Sequence, residues 1–377
     1  MLVNTHLPEA IISILCTKFF KNYFTKKVWY GTIVLKKLGI FWVNGDKINR
    51  IYIGGNMKYK KIPYVGKRVS KIIYGTAELN ECSDEKMLLL DGLCEQGINT
   101  FDTARVYCDG NSEEVLGQWM QKRNNRKNVV IITKCGHPDM RTGRKRINIS
   151  EMKRDLERSF ERLKTNHIDI YMLHRDDTEV PVGEIVEIFN DMYRKGQIGA
   201  FGGSNWSFER IKEANDYAKS HDLIPFTVSS PSYSIAEQTT DLWGGGSLSI
   251  SGEEGKCDRE WYEKEEMPVI AYSSLGRGFF SGKIKSDNPE EIKSVMDEKT
   301  VKSYGIERNF EKLKRAEELA KEKGCTVSQI AIAWLMNQKL NTFAVVSSDK
   351  LERIVEDIGG LAVKLTKKEM KYLNLEI

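Results

Sequence analysis

A chain of 377 residues, 40 % apolar and 29 % charged, is long enough to bury a large core, and alternating barrels of about 250 residues or more commonly form one domain. Its formal charge of +5 is lopsided: residues 1–56 hold eight Lys and Arg against Glu9 and Asp46, a net +6, which leaves the remainder near −1 and takes the basic footprint of a nucleic-acid-binding domain away from the part that reads as folded. The seven cysteines show no CxxC pair and no spacing suited to a disulfide framework or a zinc site, and an odd, scattered count points to a reducing cytoplasm.

Residues 1–56 read as an extension, either disordered or the product of an upstream start. Of its two apolar patches, 10–20 is too short to span a bilayer and 28–43 is interrupted by Lys36 and Lys37. Glu9 and His6 stand where a secretory signal wants positive charge. A cationic, aromatic membrane-surface anchor is the alternative. The domain is taken to start at Met57, behind Gly54-Gly55-Asn56, whose codons can spell a bacterial ribosome-binding sequence. From there, 59–69 suggests a hairpin. Short β-branched runs then alternate with amphipathic stretches. Strands are predicted at 71–74, 98–101, 129–133, 168–173, 198–202, 226–229, 269–272 and 342–346. Helices are predicted at 84–95, 112–122, 151–163, 183–194, 208–219 and 309–323, several opened by a Ser or Asp cap. That rhythm, about thirty residues per unit, predicts a (β/α)8 TIM barrel with an N-terminal hairpin and long loops at the carboxyl ends of the strands. Two stretches break it: a glycine-containing excursion at 236–266, and a charged connection at 282–307.

Four polar residues follow predicted strands, where barrel enzymes keep their chemistry. Phe101-Asp102-Thr103-Ala104-Arg105-Val106-Tyr107 leaves the second strand, Ile132-Thr133-Lys134 the third and Tyr171-Met172-Leu173-His174 the fourth. A phenol beside an ammonium makes sense as a proton donor, since a neighbouring cation favours the phenolate and lowers the phenol pKa. Each residue alone also has a structural reading, as a cap, a loop aromatic, a surface cation or a core imidazole. Four in order at strand ends are harder to explain so. Ser204 and Asn205, after the fifth strand, offer the donor and acceptor that a carboxamide needs, or else cap the next helix. No glycine fingerprint opens the first strand-helix unit, so an ordinary dinucleotide fold is not supported. Leu275, Gly276, Arg277 and Gly278 after the seventh strand instead form a turn that a phosphate can approach. No cluster of His, Cys and carboxylates has metal-ligand spacing, and no metal is expected.

The ordered set Asp102, Tyr107, Lys134 and His174 resembles the catalytic tetrad of the aldo-keto reductases, and the resemblance extends over 57–377. It implies reduction of aldehydes or ketones with NADPH, or alternatively NADH, Tyr107 being the general acid. Asp102 and Lys134 would tune Tyr107, and His174 would orient the carbonyl. It further implies that Gly75 and Thr76 face the cofactor, that Ser204 and Asn205 hold the carboxamide, and that Tyr272 stacks on the nicotinamide. Ser273, Leu275, Gly276, Arg277 and Gly278 would embrace the pyrophosphate, while Ser348, Arg353, Glu356 and Asp357 take the adenosine end. Two positions depart from the family pattern: Ser347 stands where many members have a phosphate-pairing Lys, and Ser230 where a Gln commonly assists the nicotinamide amide. The partner implied is a small carbonyl compound, with oligomeric state undetermined. A barrel of this family that binds cofactor but acts as a regulatory or scaffold subunit is the competing reading.

Overall fold

The computed structural model describes residues 57–377 together with Ile40–Phe41 and Tyr52–Ile53. Those two short strands pair antiparallel with each other. The expectations of disorder or an upstream start for residues 1–56 otherwise lie outside the described residues.

Eight parallel strands close a barrel: β1 (Ile72–Gly75), β2 (Thr100–Asp102), β3 (Val130–Cys135), β4 (Ile168–Leu173), β5 (Ile198–Ser204), β6 (Val228–Ser230), β7 (Val269–Ala271) and β8 (Thr342–Val346). All eight predicted strands are present, and β8 pairs back onto β1 with Ala344 opposite Ile72. Period-two alternation explains the layering. Ile73, Val130, Ile132, Ile170, Met172, Ala200, Val228, Ile270 and Phe343 fill the barrel interior, while Ile72, Tyr74, Phe101, Ile131, Tyr171 and Phe201 face the helices. The hairpin pairs Tyr59–Lys60 with Val69–Ser70 and sends Ile62 and Val69 into the interior cluster, closing the amino-terminal end of the barrel. Each such buried side chain contributes about 1.5–3 kcal/mol.

The described α-helices of nine or more residues are α1 (Asp84–Glu95), α2 (Asn111–Arg123), α3 (Ile149–Leu163), α4 (Val182–Arg194), α5 (Phe208–Ser220), α6 (Lys256–Lys264), α7 (Glu307–Lys323), α8 (Val327–Met336) and α9 (Leu351–Gly359). Ser83, Asn148 and Ser207 cap α1, α3 and α5 through their side chains. Sequence periodicity missed α6, α8 and α9. In α8, Val327-Ser328-Gln329-Ile330-Ala331-Ile332-Ala333-Trp334 is apolar nearly all round, so it shows no helical stripe. The predicted excursion at 236–266 is in part a barrel helix: α6 buries Tyr262, whose hydroxyl lies 2.7 Å from that of Ser229. Short helical turns at Ile292–Val295 and Glu298–Tyr304 likewise interrupt the charged connection.

Candidate active site

β2 ends on Asp102, and the turn after β1 fixes that end. The Thr76 N–H and hydroxyl both donate to the Asp102 carbonyl, at 2.9 and 3.0 Å. Lys134 lies one residue before the end of β3, and its buried ammonium donates to both Asp102 carboxylate oxygens at 2.7 and 2.9 Å. The same ammonium reaches the Thr103 carbonyl at 3.0 Å and the Tyr107 hydroxyl at 3.3 Å. His174 follows β4, with its ring 5.6 Å from that of Tyr107 and nearly perpendicular to it. The four predicted residues therefore meet in one place.

Burial dominates the electrostatics there. It raises the Tyr107 phenol above its ordinary value even though the Lys134 charge opposes the shift, so the net lowering argued from sequence is reversed. Burial also works against the Lys134 ammonium, but Asp102 and Tyr107 outweigh it and hold the ammonium above its usual value. His174 is held well below the ordinary imidazole range, first by burial and then by Lys134 and its cationic neighbours. At neutral pH the site thus presents a protonated phenol, a charged lysine and a neutral imidazole. The His174 Nδ1 atom is buried with no hydrogen-bond partner among the described residues.

Tyr107 is presented by a strained turn. Cys108 and Asp109 take φ of 49° and 55°, a left-handed conformation uncommon outside glycine. Arg162 of α3 holds that turn by donating to the Arg105 carbonyl at 3.1 Å and the Asp109 carbonyl at 3.3 Å. Arg105 in turn lies 3.1 Å from buried Asp155, which Arg146 also engages at 2.7 Å. The sequence analysis gave no role to this ionic layer behind the turn.

Within this fold and around this site, the Aldo/keto reductase family model matches residues 71–375. The chain belongs to the aldo-keto reductase family. It is 30 % identical over 356 residues to the versiconal hemiacetal acetate reductase of Aspergillus parasiticus, covering 84 % of this chain and 96 % of that protein. It is 27 % identical over 331 residues to the uncharacterized oxidoreductase YrpG of Bacillus subtilis, covering 84 % of this chain and 95 % of the relative. The thermostable aldo-keto reductase Tm1743, crystallised with the inhibitor epalrestat, shares the fold with a TM-score of 0.64 at 24 % identity, over 85 % of this chain and 99 % of that one.

In this family member the loops beside the tetrad form a second polar system. A Cβ on Gly203 would lie 2.4 Å from the Trp206 ring, so only glycine lets β5 turn sharply enough to bring Ser204 and Asn205 to the barrel mouth. The Ser204 hydroxyl donates to the Ser230 carbonyl at 2.9 Å. Asn205, at φ 64°, accepts from the Tyr272 hydroxyl at 2.6 Å and from the Leu248 N–H at 3.0 Å, and its amide nitrogen donates to the His174 carbonyl at 3.2 Å. After β7, Ser273, Gly276, Arg277 and Gly278 all take positive φ. A Cβ on Gly276 would sit 2.8 Å from that of Ala236. Among the described residues, the Leu275 and Arg277 N–H groups of that turn have no acceptor. Arg277 pairs with Asp297 at 3.0 Å and lies 4.7 Å from the Trp243 ring.

At the end of β8, Ser348 accepts the Tyr74 hydroxyl on its carbonyl at 3.1 Å. Arg353 has no ion pair among the described residues, its recorded bond being to the Ser281 carbonyl at 3.4 Å. Glu356 accepts from Ser328 at 3.0 Å, and buried Asp357 is pushed up to about 7, chiefly by burial. Gly75 ends β1 with no room for a side chain, a Cβ there lying 2.9 Å from Val345.

Sequence reading missed His137 and Arg175. The His137 ring is 4.8 Å from that of His174, and the Arg175 guanidinium donates to the His174 carbonyl at 2.9 Å. Both follow strands that had already been singled out, His137 two residues beyond β3 and Arg175 two beyond β4, so strand-end position was a usable signal.

Proposed function

We propose that this protein reduces aldehydes or ketones to alcohols with a nicotinamide dinucleotide, Tyr107 being the general acid. The observation that carries the reading is the Lys134 ammonium bonded at once to Asp102 and to the Tyr107 hydroxyl, with His174 edge-on to the phenol. The relatives support it in kind, one being named a reductase of versiconal hemiacetal acetate and another an oxidoreductase.

The residues present fit such a cofactor. The unpartnered N–H groups of Leu275 and Arg277 in a run of left-handed residues suit a pyrophosphate, and Ser204 with Asn205 suits a carboxamide. Tyr272, already bonded to Asn205, would back the nicotinamide, Ser273 and Ser230 would border it, and Gly75 and Thr76 would line its approach. Arg353 without a counter-ion suits a 2′-phosphate, with Ser348, Glu356 and Asp357 around the adenosine, which favours NADPH over NADH modestly in the absence of a lysine at Ser347. When bound, the reduced nicotinamide supplies the hydride and is itself oxidised.

The chain's own residues do the rest. As the carbonyl carbon accepts hydride, its π electrons move to oxygen, and that oxygen takes the Tyr107 proton. The phenol holds this proton at neutral pH because of burial, and gives it up as Lys134 stabilises the phenolate that forms. Asp102 keeps the ammonium aimed, and neutral His174 orients the carbonyl oxygen. The free cysteines are in keeping with a reducing cytoplasm, and no described helix is long and apolar enough to cross a membrane.

The test is NADPH and NADH oxidation with sugars, aromatic aldehydes, 2-oxo aldehydes and small ketones. Turnover on at least one class is expected. Cofactor binding without turnover on any would favour a regulatory role instead.

A further inference from the structure

Arg175 is 9 % exposed and stands directly after His174, at the mouth of the barrel. Its guanidinium donates to the His174 carbonyl at 2.9 Å, and among the described residues no carboxylate lies within ion-pair distance of it. Nearby acids are engaged elsewhere. Asp176 pairs with Arg210 at 3.3 Å, Asp177 with Lys145 at 2.7 Å, and Asp241 accepts the Trp243 N–H and the Ser247 hydroxyl. Lys134 differs, because its charge is matched by Asp102. A guanidinium cannot shed its proton to relieve burial, so Arg175 is an uncompensated cation. Its field falls on Tyr107, His137, His174 and Tyr272 together, which locates the charge among the groups that surround the phenol. Gly246 of the long loop covers its stem, a Cβ there lying 3.6 Å from the Arg175 Cδ. The buried and unpartnered His174 Nδ1 beside it is a second polar group lacking a protein partner.

We infer that Arg175 is an anion anchor in the substrate pocket, and that the preferred carbonyl substrates carry a carboxylate. With one edge given to the His174 carbonyl, the planar fork offers its remaining donors to two coplanar oxygens, the geometry of a carboxylate. A phosphate would bring up to two charges to a single unmatched cation. The assignment rests on the reading of this site as a carbonyl reductase and names its substrate class.

Paired substrates test it: oxo acids against their methyl esters, and phosphorylated against plain aldehydes, with wild type, Arg175→Met and Arg175→Lys. Wild type should prefer each acid to its ester in kcat/KM by about tenfold or more, through KM, the scale of a charge-assisted hydrogen bond. Arg175→Met should bring that ratio close to one and Arg175→Lys should keep part of it. A ratio is unaffected by a loss of folded protein. Benzoate binding by calorimetry, on the full chain with oxidised cofactor, adds a readout that needs no turnover, and Arg175→Met should weaken it about tenfold. Equal use of acid and ester, a ratio unchanged in Arg175→Met, benzoate binding indifferent to it, or preference for the phosphate ester over the acid would each overturn the assignment. Arg175-dependent benzoate binding with no carbonyl turned over would instead sink the reductase reading and leave the anchor standing.

Discussion

A buried lysine and a half-buried one, at opposite ends of the same barrel, meet opposite fates. Lys134 at the carboxyl end faces Asp102 at 2.7 Å, and the pair keeps its ammonium charged. Lys71, at the amino end just before β1, donates to the Thr342 carbonyl and lies 4.4 Å from the Phe343 ring, with Lys58 and Lys60 as its charged neighbours. Burial first, and those lysines after it, bring it down to about 7. What decides the protonation state is therefore the acid supplied beside the amine. Arg175 extends the lesson: a buried cation without an acid either gives up its proton, as a lysine can, or waits for an anion from outside, as an arginine must.

The comparison is broken most severely at Lys134. Lys134→Met should cost about 10²- to 10⁴-fold in turnover, the span of general acid catalysis, because the main charge opposing the burial of Tyr107 is then gone. It should also destabilise the fold by about 3–5 kcal/mol through the stranded Asp102 charge. Asp102→Asn combined with Lys134→Met should recover most of that stability and none of the activity. Recovery of both would reduce the pair to a structural ion pair.

At the other end the sign is opposite. The folded pKa of Lys71, about 7, lies below the unfolded 10.5, so the unfolded chain binds more protons between the two and wild-type stability gains as pH rises through that window. Below about pH 7 both states are protonated and the folded one bears the full cost. Lys71→Met should therefore be more stable than wild type near pH 6, by on the order of a few kcal/mol, with the advantage shrinking toward pH 10. Denaturant melts at the two pH values check this, and a difference independent of pH would contradict it.

Smaller effects sharpen the carboxyl end. Arg162→Ala removes two donors from the turn that presents Tyr107, and should lower kcat about tenfold with little change in KM for cofactor. A shift confined to KM would mean that Arg162 does not position the phenol. Arg353→Ala should lower the NADPH to NADH ratio of kcat/KM several-fold, about the worth of one exposed ion pair. An untouched ratio would show that this arginine only packs at the surface.

The barrel was legible because eight β-branched runs, each ending in a turn, repeat a pattern with one common solution. The clustering of Asp102, Tyr107, Lys134 and His174 was legible because each follows a strand, in order along the chain. Helix α8 was not, since a helix buried nearly all round carries no 3.6-residue stripe. The sequence presents 236–266 as one excursion. Trp261 instead packs on Phe208 in the helix layer, 5.9 Å between ring centroids, and only the Leu242–Leu248 side reaches Asn205. The direction of the Tyr107 shift was also beyond sequence, because it depends on how far burial exceeds the pull of one cation. That quantity appears only once the phenol is enclosed.

The most direct test of the account is Tyr107→Phe, followed by cofactor oxidation with the best carbonyl substrate and by titration of cofactor binding. Turnover should fall by about 10²-fold or more with cofactor affinity nearly unchanged, and wild-type turnover should stay flat through neutral pH and decline only once the raised phenol titrates. A Phe variant that keeps more than about a tenth of wild-type turnover, outside the usual loss of a general acid, would contradict the role assigned to Tyr107.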